Sequence, residues 1–193
     1  MTELKDYIIT EKLKKIAQLQ REFSKRVVER PLDVDSIETV GAVDVSYREN
    51  TAVSALVVCT FPDCEVLEAR TTKARATFPY IPTYFFLRET RPVLLVAKNA
   101  DFDVLLVEGH GRAHPRGYGL ASHIGLVLKK PVIGVAKRPL RGVPEGLYKK
   151  VGKAYVSVGH LVDLKSAAEV VGALGGSYPK PLKLADKLSK VRT

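Results

Sequence analysis

Residues 107–125, VEGHGRAHPRGYGLASHIG, combine residue types that can support acid–base or metal-assisted chemistry. They contain three of the four histidines and five glycines, and Glu108 is their only carboxylate. The preceding run, DVLLV, is apolar throughout its last four residues, which is typical of a strand buried on both faces. Ligand sites in α/β sheets lie beyond the carboxyl ends of such strands. Glu108 is therefore predicted to face a ligand, with Gly109 and Gly111 allowing close approach of the backbone; the alternative is a solvated glutamate in a turn.

Two further carboxylates lie in unusual surroundings. Asp44 sits inside an apolar strand, TVGAVDVSY, where burial is costly unless a partner compensates for it. Glu89 follows in FFLRET. With Glu108 they would form an oxygen-only cluster, which suits Mg²⁺ or Mn²⁺. The alternatives are an Asp44 that faces solvent or pairs with a lysine, and a Glu89 that pairs with Arg88 or Arg91 at the surface.

His110 and His114 are four residues apart, a spacing that can bind zinc from one face of a helix. Gly109, Gly111 and Pro115 argue against a continuous helix here, and no further ligand completes a zinc site. Proton transfer or orientation of a phosphate suits these histidines better.

Two other strings contribute candidates. In FPYIP (78–82), Tyr80 and Ile81 lie between two prolines that restrict the backbone, so a rigid apolar loop could separate a base step. The alternative is a packed loop with Tyr80 in the core. Lys137 ends the run VIGVA, where it could steady a phosphate or a nucleophilic water; the alternative is a surface lysine.

Apolar periodicity predicts the elements that must position these residues. The predicted strands are 39–47, 51–60, 64–78, 103–107, 131–136 and 154–158. The predicted helices are 10–30, Tyr84–Glu89, 117–129, 163–173 and the tail 180–193. Pro31 would end the first, and Asp163 would cap the fourth. Pro82 would start the second, and Pro92 would break or restart it. Three antiparallel strands followed by parallel strands would give a mixed α/β sheet flanked by helices, in one domain over 1–193.

Composition favours an anionic partner. The chain has 31 Lys and Arg against 21 Asp and Glu, a net charge of +10, which points to nucleic acid, or to a basic protein without such a partner. It has no apolar run of bilayer length and no signal-peptide layout, so a cytoplasmic protein is expected. Cys59 and Cys64 could form a disulfide across a hairpin, but a reducing cytosol favours free thiols.

The chain resembles the endonuclease V family, the inosine-specific nucleases of nucleic-acid repair, in six strings that follow the family's order. They are VGAVDVSY, FPYIPTYFFLRE, VEGHGRAHPRGYGLASHIG, PVIGVAK and, more weakly, VSVGH and PLKLADKLSK. The resemblance implies an RNase H-like fold. It also implies Mg²⁺-dependent hydrolysis, with Mn²⁺ as a substitute, of the second phosphodiester 3′ to deoxyinosine in damaged DNA.

The resemblance also implies residue roles. Asp44 matches the family's strand aspartate and Glu89 its FRE-type glutamate, while Glu108 stands where the family usually has Asp; these three would hold the metal. His114 and Lys137 match the remaining catalytic positions. Tyr80 matches the wedge that separates the strands, and the flipped base would enter a pocket beside the glycines. The implied substrate-binding residues are Pro79, Tyr80, Ile81, Pro82, Thr83, Gly109 and Gly111.

Two departures from the family pattern leave alternatives open. Glu108 reaches about one methylene further than Asp, and Mg²⁺ demands near-ideal geometry. Thr83 stands where the family usually has Gly, which would alter base recognition if the loop needs unusual torsions. The alternatives are an inosine-specific RNA endonuclease and a lesion-binding protein with weak catalysis. No oligomerisation signal is visible, so a monomer is expected.

Overall fold

The computed structural model describes residues 2–191, with side chains from Ile9 onward, and contains a seven-stranded sheet with helices on both faces. The strands are β1 (Thr39–Arg48), β2 (Thr51–Thr60), β3 (Val66–Arg75), β4 (Val104–Glu108), β5 (Val132–Ala136), β6 (Lys149–Val151) and β7 (Ala154–His160). The α-helices are α1 (Thr2–Ser24), α2 (Phe86–Ala97), α3 (Leu120–Leu128), α4 (Leu164–Ala173) and α5 (Lys180–Ser189). A short 3₁₀ turn covers Val34–Ser36. Between residues 2 and 191, no helix has both the length and the apolar character needed to cross a membrane.

The strand order is β3-β2-β1-β4-β5-β7-β6. The first three strands form an antiparallel meander, and β4 and β5 run parallel to β1. The predicted fold class, a mixed sheet flanked by helices, is confirmed. Beyond β5 the sheet returns to antiparallel pairing, because β7 pairs with β5 and with the unpredicted short strand β6.

The sheet has a separate apolar cluster on each face. The apolar run of β4 contributes side chains to both clusters. Leu106 packs on the face covered by α4 and α5, and Leu105 packs on the face covered by α2 and α3. Both leucines are fully buried, as the apolar run predicted. The two cysteines are buried and free, in agreement with the expectation of free thiols.

The predicted helix 10–30 is wrong at both ends, since α1 begins at Thr2 and ends at Ser24. The early end has a physical reason in the pairing of Val28. Its N–H donates to His160 Nδ1 at 3.2 Å, and its carbonyl accepts from the Leu161 N–H at 2.8 Å. Because the backbone N–H and carbonyl of Val28 bond to residues at the end of β7, they are not available for helical hydrogen bonds, and the helix ends before Pro31.

The predicted break or restart of the helix at Pro92 is also wrong, because α2 continues through this residue to Ala97. Proline lacks the N–H that would bond to the Arg88 carbonyl one turn earlier. The Tyr47 hydroxyl supplies the missing donor, at 3.2 Å from that carbonyl oxygen. This hydrogen bond from Tyr47 links α2 to β1, three residues after Asp44.

Asp103 joins the starts of β1 and β4. Its Oδ2 accepts from the backbone N–H groups of Glu38 and Thr39, at 3.0 and 2.8 Å, and from the Thr39 hydroxyl at 3.0 Å. Desolvation alone would raise the pKa of Asp103, but these hydrogen bonds lower it below its ordinary value. We expect Asp103→Ala to reduce the free energy of unfolding by about 1–2 kcal/mol, since charged acceptors form the stronger hydrogen bonds.

Urea titration at neutral pH checks this, with Asp101→Ala as the matched control. Asp101 is fully exposed and contacts only Lys130, at 3.6 Å, among the ion pairs of the described chain. Equal losses in the two variants would contradict a special role for Asp103.

Candidate active site

Strand register brings the first two predicted carboxylates side by side. Val43 of β1 pairs with Val107 of β4 in parallel, so Asp44 and Glu108 are the next residues along neighbouring strands. Lys137 directly follows β5, the next strand of the sheet. These three side chains therefore come from the carboxyl-terminal halves of three parallel strands, where ligand sites of α/β sheets lie.

Asp44 is buried and 9% exposed. Its Oδ2 accepts a hydrogen bond from the Ser189 hydroxyl of α5 at 3.2 Å. Burial raises the pKa of Asp44, and the negative charge of Asp186 raises it further, while Ser189 and Lys137 oppose the shift. The alternative of a solvent-facing Asp44 is wrong, and its carboxylate lies under α5.

Glu108 has two partners across the same cleft. The Tyr178 hydroxyl donates to its Oε2, and Lys137 Nζ lies 3.9 Å from its Oε1. Burial raises the pKa of Glu108, the Tyr178 and Lys137 contacts lower it, and the charges of Asp44 and Asp186 raise it. The extra methylene of Glu108 thus carries its carboxylate to the Tyr178 hydroxyl, which holds it by a hydrogen bond.

Glu89, in the first turn of α2, is the most perturbed of the three carboxylates. It is 3% exposed, and its Oε1 has no hydrogen-bond partner. Burial is the main reason that its pKa rises to about 8; the Tyr47 hydroxyl opposes the rise, and the Asp44 charge adds to it. The alternative of a surface Glu89 paired with Arg88 or Arg91 is therefore wrong.

Sequence reasoning missed Asp186, a fourth carboxylate at this cleft. Its Oδ1 lies 2.6 Å from Lys190 Nζ and 3.7 Å from Lys137 Nζ. The cleft encloses about 210 Å³ and is lined by Glu108, Lys137, Tyr178, Leu182, Lys183 and Asp186. One signal was available, because Asp186 is the only acidic residue after Glu169 and lies in a string that resembles the family.

The chemistry of this cleft fits a hard divalent cation. Asp44, Glu89, Glu108 and Asp186 offer oxygen donors alone. Burial and neighbouring negative charges raise the pKa values of the first three, and Glu89 Oε1 has no hydrogen-bond partner. Within the described chain, no three acidic, histidine or cysteine side chains already form a compact metal-binding group. The donor set therefore suits Mg²⁺ or Mn²⁺ by type rather than by a preassembled cage.

A second, mainly apolar cavity of about 230 Å³ lies beside the loop that follows β4. Its lining residues are Tyr80, Pro82, Thr83, Phe85, Phe86, Gly109, His110, His114, Gly119, Leu120 and Leu140. Gly111, which was predicted to border the base pocket, is not among them. Its N–H donates to Ser157 Oγ at 2.9 Å, and any side chain there would collide with the Val158 carbonyl of β7.

His114 lies at this cavity and not among the carboxylates. Its Nε2 is 3.0 Å from the Thr83 carbonyl oxygen, and its Nδ1 accepts from the Arg116 N–H at 3.2 Å. The first contact requires the proton on Nε2, so both nitrogens are occupied in the neutral ring. Burial, with the Arg116 charge adding to it, lowers the pKa of His114 to about 4. The geometry suits positioning of the loop at Thr83.

The string FPYIP forms the outer wall of the cavity. Tyr80 is 64% exposed, with its ring edge-on to Phe85 at 5.9 Å between centroids, so the alternative of a core tyrosine is wrong. Pro79 and Pro82 are exposed and Ile81 is half-buried. The segment thus presents an aromatic and a rigid backbone to solvent beside a cavity.

The arrangement of these elements matches known proteins. A family model described as Endonuclease V matches residues 21–154. The endonuclease V of Thermococcus kodakarensis is 64% identical over 181 residues, which cover 93% of this chain and 92% of the relative. The endonuclease V of Pyrococcus abyssi is 62% identical over 179 residues, which cover 92% and 91%. The chain belongs to the endonuclease V family.

Solved structures of endonuclease V agree with this. The Ciona intestinalis protein, in complex with a 24-mer DNA containing an inosine followed by a ribo-adenosine, matches with a TM-score of 0.82 at 27% identity, over 94% of this chain and 97% of that one. The Streptomyces avermitilis protein matches with a TM-score of 0.80 at 30% identity, over 91% of each chain. The predicted family and its nuclease class are confirmed.

Proposed function

We propose that this endonuclease V hydrolyses the second phosphodiester bond 3′ to a deoxyinosine in DNA. One observation carries the proposal. Glu108 lines the acidic cleft, and the next residue, Gly109, lines the apolar cavity. A base held in the cavity would therefore sit at a fixed, short distance from the cleft, which favours cutting beside the lesion rather than at it.

The cavity suits one flipped base. Its lining is mostly apolar, and its volume of about 230 Å³ lies below the range of ~300–1,000 Å³ typical of drug-sized ligands. Enzymes that act at a single base turn it out of the stack, and an apolar side chain inserted between base steps can unstack them. Exposed Tyr80, with Ile81 between two prolines, is the wedge in this proposal.

The cleft would carry the hydrolysis. Asp44, Glu89 and Glu108 would hold Mg²⁺, with Mn²⁺ as a substitute, and Asp186 would add a fourth carboxylate. A bound divalent ion supplies a more acidic water and stabilises charge on the attacked phosphate. Lys137, 3.9 Å from Glu108 and 3.7 Å from Asp186, is free to turn its ammonium toward a phosphate oxygen.

The exposed lysines of α5 would supply salt-sensitive affinity for the DNA backbone. They are Lys180, Lys183 and Lys187, with Lys190 at the C-cap of the helix; Lys183 lines the cleft and Lys190 pairs with Asp186. His114 would steady the wedge loop from inside the cavity, through its bond to the Thr83 carbonyl.

A labelled duplex with one deoxyinosine, beside the undamaged duplex, tests the proposal in Mg²⁺, Mn²⁺ or EDTA. We expect a metal-dependent nick one nucleotide beyond the lesion, which leaves a 3′-hydroxyl and a 5′-phosphate. Tight, lesion-specific binding without cleavage in either metal would overturn the nuclease proposal in favour of a lesion-binding protein.

An inosine-specific RNA endonuclease is the second candidate. The Ciona relative was crystallised with inosine followed by a ribo-adenosine, so a 2′-hydroxyl next to the lesion is compatible with that fold. Comparing all-DNA, all-RNA and DNA with a single ribonucleotide 3′ to inosine separates the two candidates. Preferential cleavage of both substrates that carry the 2′-hydroxyl would favour the RNA endonuclease.

Glu108 gives a sharper test of the weak-catalysis alternative. Shortening it to Asp would withdraw the carboxylate from the Tyr178 hydroxyl. We expect Glu108→Asp to lower the single-turnover nicking rate about tenfold, which corresponds to about 1.4 kcal/mol. Tyr178→Phe, which keeps the glutamate but removes the hydroxyl, should have a smaller effect in the same direction. A large gain in cleavage by Glu108→Asp at unchanged binding would instead support weak catalysis in the natural sequence.

A further inference from the structure

Thr83 adopts a backbone conformation that side chains with a Cβ avoid. Its φ is +65°, in the left-handed region that favours glycine. Such a conformation persists only where the surrounding structure holds it. Thr83 is the last residue of the wedge loop, residues 79–83, so the contacts that hold its backbone also fix the end of this loop.

Several donors converge on Thr83. Its carbonyl oxygen lies 3.0 Å from His114 Nε2 and accepts from Arg116 Nη2 at 2.6 Å and, more weakly, from Gln20 Nε2 at 3.4 Å. Arg116 Nη2 also donates to the Thr83 hydroxyl at 2.8 Å. That last bond needs the threonine hydroxyl, so the side chain that makes this torsion unfavourable also adds a contact that holds it.

Gln20 of α1 fixes the guanidinium that makes these bonds. Its side chain is 1% exposed; Oε1 accepts from Arg116 Nε at 2.7 Å, and Nε2 donates to the Tyr118 carbonyl at 2.9 Å. Arg116 also lies over the Tyr84 ring, 4.4 Å from its centroid. The Tyr84 hydroxyl donates to the Leu13 carbonyl of α1 at 3.1 Å. Helix α1 thus contacts both the loop and the arginine that holds it.

We infer that α1 is part of lesion recognition: Gln20 positions Arg116, and Arg116 locks Thr83, so that the wedge loop is held ready before DNA binds. The inference rests on the proposed function for the wedge itself. Gln20 lies just outside residues 21–154, the part of the chain that the family model matches. Gln20 is a positioning residue, since it acts on DNA only through Arg116 and Thr83.

The test compares one substitution at two positions of the same helix. Gln20→Met removes the link to Arg116, and Gln18→Met is the matched control because Gln18 is exposed. In the free protein, hydrogen exchange of a peptide covering residues 78–84 should be faster in Gln20→Met and unchanged in Gln18→Met. KM for deoxyinosine DNA should rise about tenfold in Gln20→Met, the cost of one charged hydrogen bond, with kcat within about twofold.

A second background separates positioning from a general loss of packing. In Thr83→Gly the left-handed torsion is unstrained, so adding Gln20→Met should raise KM by only about two- to threefold. If Gln20→Met does not fold, Arg116→Lys breaks the same link, because lysine lacks the fork that reaches Gln20 and Thr83 together.

The outcomes are distinct. Faster loop exchange together with a raised KM and a non-additive double variant supports the inference. Unchanged exchange at residues 78–84, or equal KM effects of Gln20→Met in the wild-type and Thr83→Gly backgrounds, overturns it. Wild-type protein that fails to nick any inosine substrate would overturn the proposed function, and the exchange measurement would still decide whether α1 holds the loop.

Discussion

Asp44→Asn should abolish nicking of deoxyinosine DNA, with a loss of at least about a thousandfold in the single-turnover rate, at the upper end of what removal of one preorganised electrostatic group costs. Asp44 is the carboxylate next to Glu108 across two parallel strands, and its charge also acts on Glu89. Asparagine keeps the shape and the contact with Ser189 but removes the charge. Binding to the lesion should persist, because the cavity is lined by other residues.

The same variant should not be less stable in the absence of metal. The pKa of Asp44 is raised by burial and by Asp186, so its charged form is a cost in the folded state at neutral pH. We therefore expect an unchanged or higher Tm in EDTA. Asp63→Asn, in the exposed turn between β2 and β3, is the control and should leave both nicking and Tm unchanged. Nicking by Asp44→Asn within tenfold of wild type would remove Asp44 from the catalytic set.

The second large effect is a link between pH, metal and stability. The pKa of Glu89 rises from 4.5 to about 8 on folding, mainly through burial. The stability that its proton contributes is complete below pH 4.5 and is lost as the pH rises through 8. The pKa values of His114 and His123 fall from 6.5 to about 4, so their contributions change only below pH 6.5. Between pH 6.5 and 8 the metal-free protein should therefore lose up to about 2 kcal/mol of unfolding free energy.

A divalent ion should reverse this trend, because it stabilises the deprotonated carboxylates. Circular dichroism suits the measurement, since the chain has no tryptophan. The rise in Tm on adding Mn²⁺ or Mg²⁺ should be larger at pH 8 than at pH 6.5. Glu89→Gln should flatten the pH dependence in EDTA. A metal effect of the same size at both pH values would argue against Glu89 as a ligand.

Local patterns in the sequence predicted most of the sheet, because apolar runs and short turns report strands directly. The uninterrupted apolar segment of β4 marked Glu108 as a strand-end residue, and the register then brought Asp44 beside it. Helix ends were predicted less well. Val28 lies outside α1 because its backbone pairs with His160, and α2 continues past Pro92 because the Tyr47 hydroxyl donates to the Arg88 carbonyl. Both contacts join residues far apart in the chain.

The candidate site shows the same division. The residues themselves pointed to the carboxylates and to the FPYIP loop, and the resemblance to the family assigned their roles, but neither gave a reason to expect Tyr178 on Glu108 or Ser189 on Asp44. Residues of these types are common on helices and loops, and only the fold turns them toward the cleft. Neither the spacing nor the resemblance could tell the metal side of the loop from the cavity side or from the sheet beneath it. In the structure His114 lines the cavity, and Gly111 packs against the Val158 carbonyl of β7.

The bond from Ser189 to Asp44 spans 145 positions of the chain. Contacts between residues so far apart in the chain require loop-closure entropy to be lost before they form, which slows their formation. The strands that hold Asp44 and Glu108 can pair while α5 is still unstructured, but the cleft is then open to water on the side that α5 covers. A molecule in which α5 has not yet docked would therefore hold Asp44 and Glu108 without their enclosure and without Asp186, and the cleft would be complete only once α5 packs onto β1.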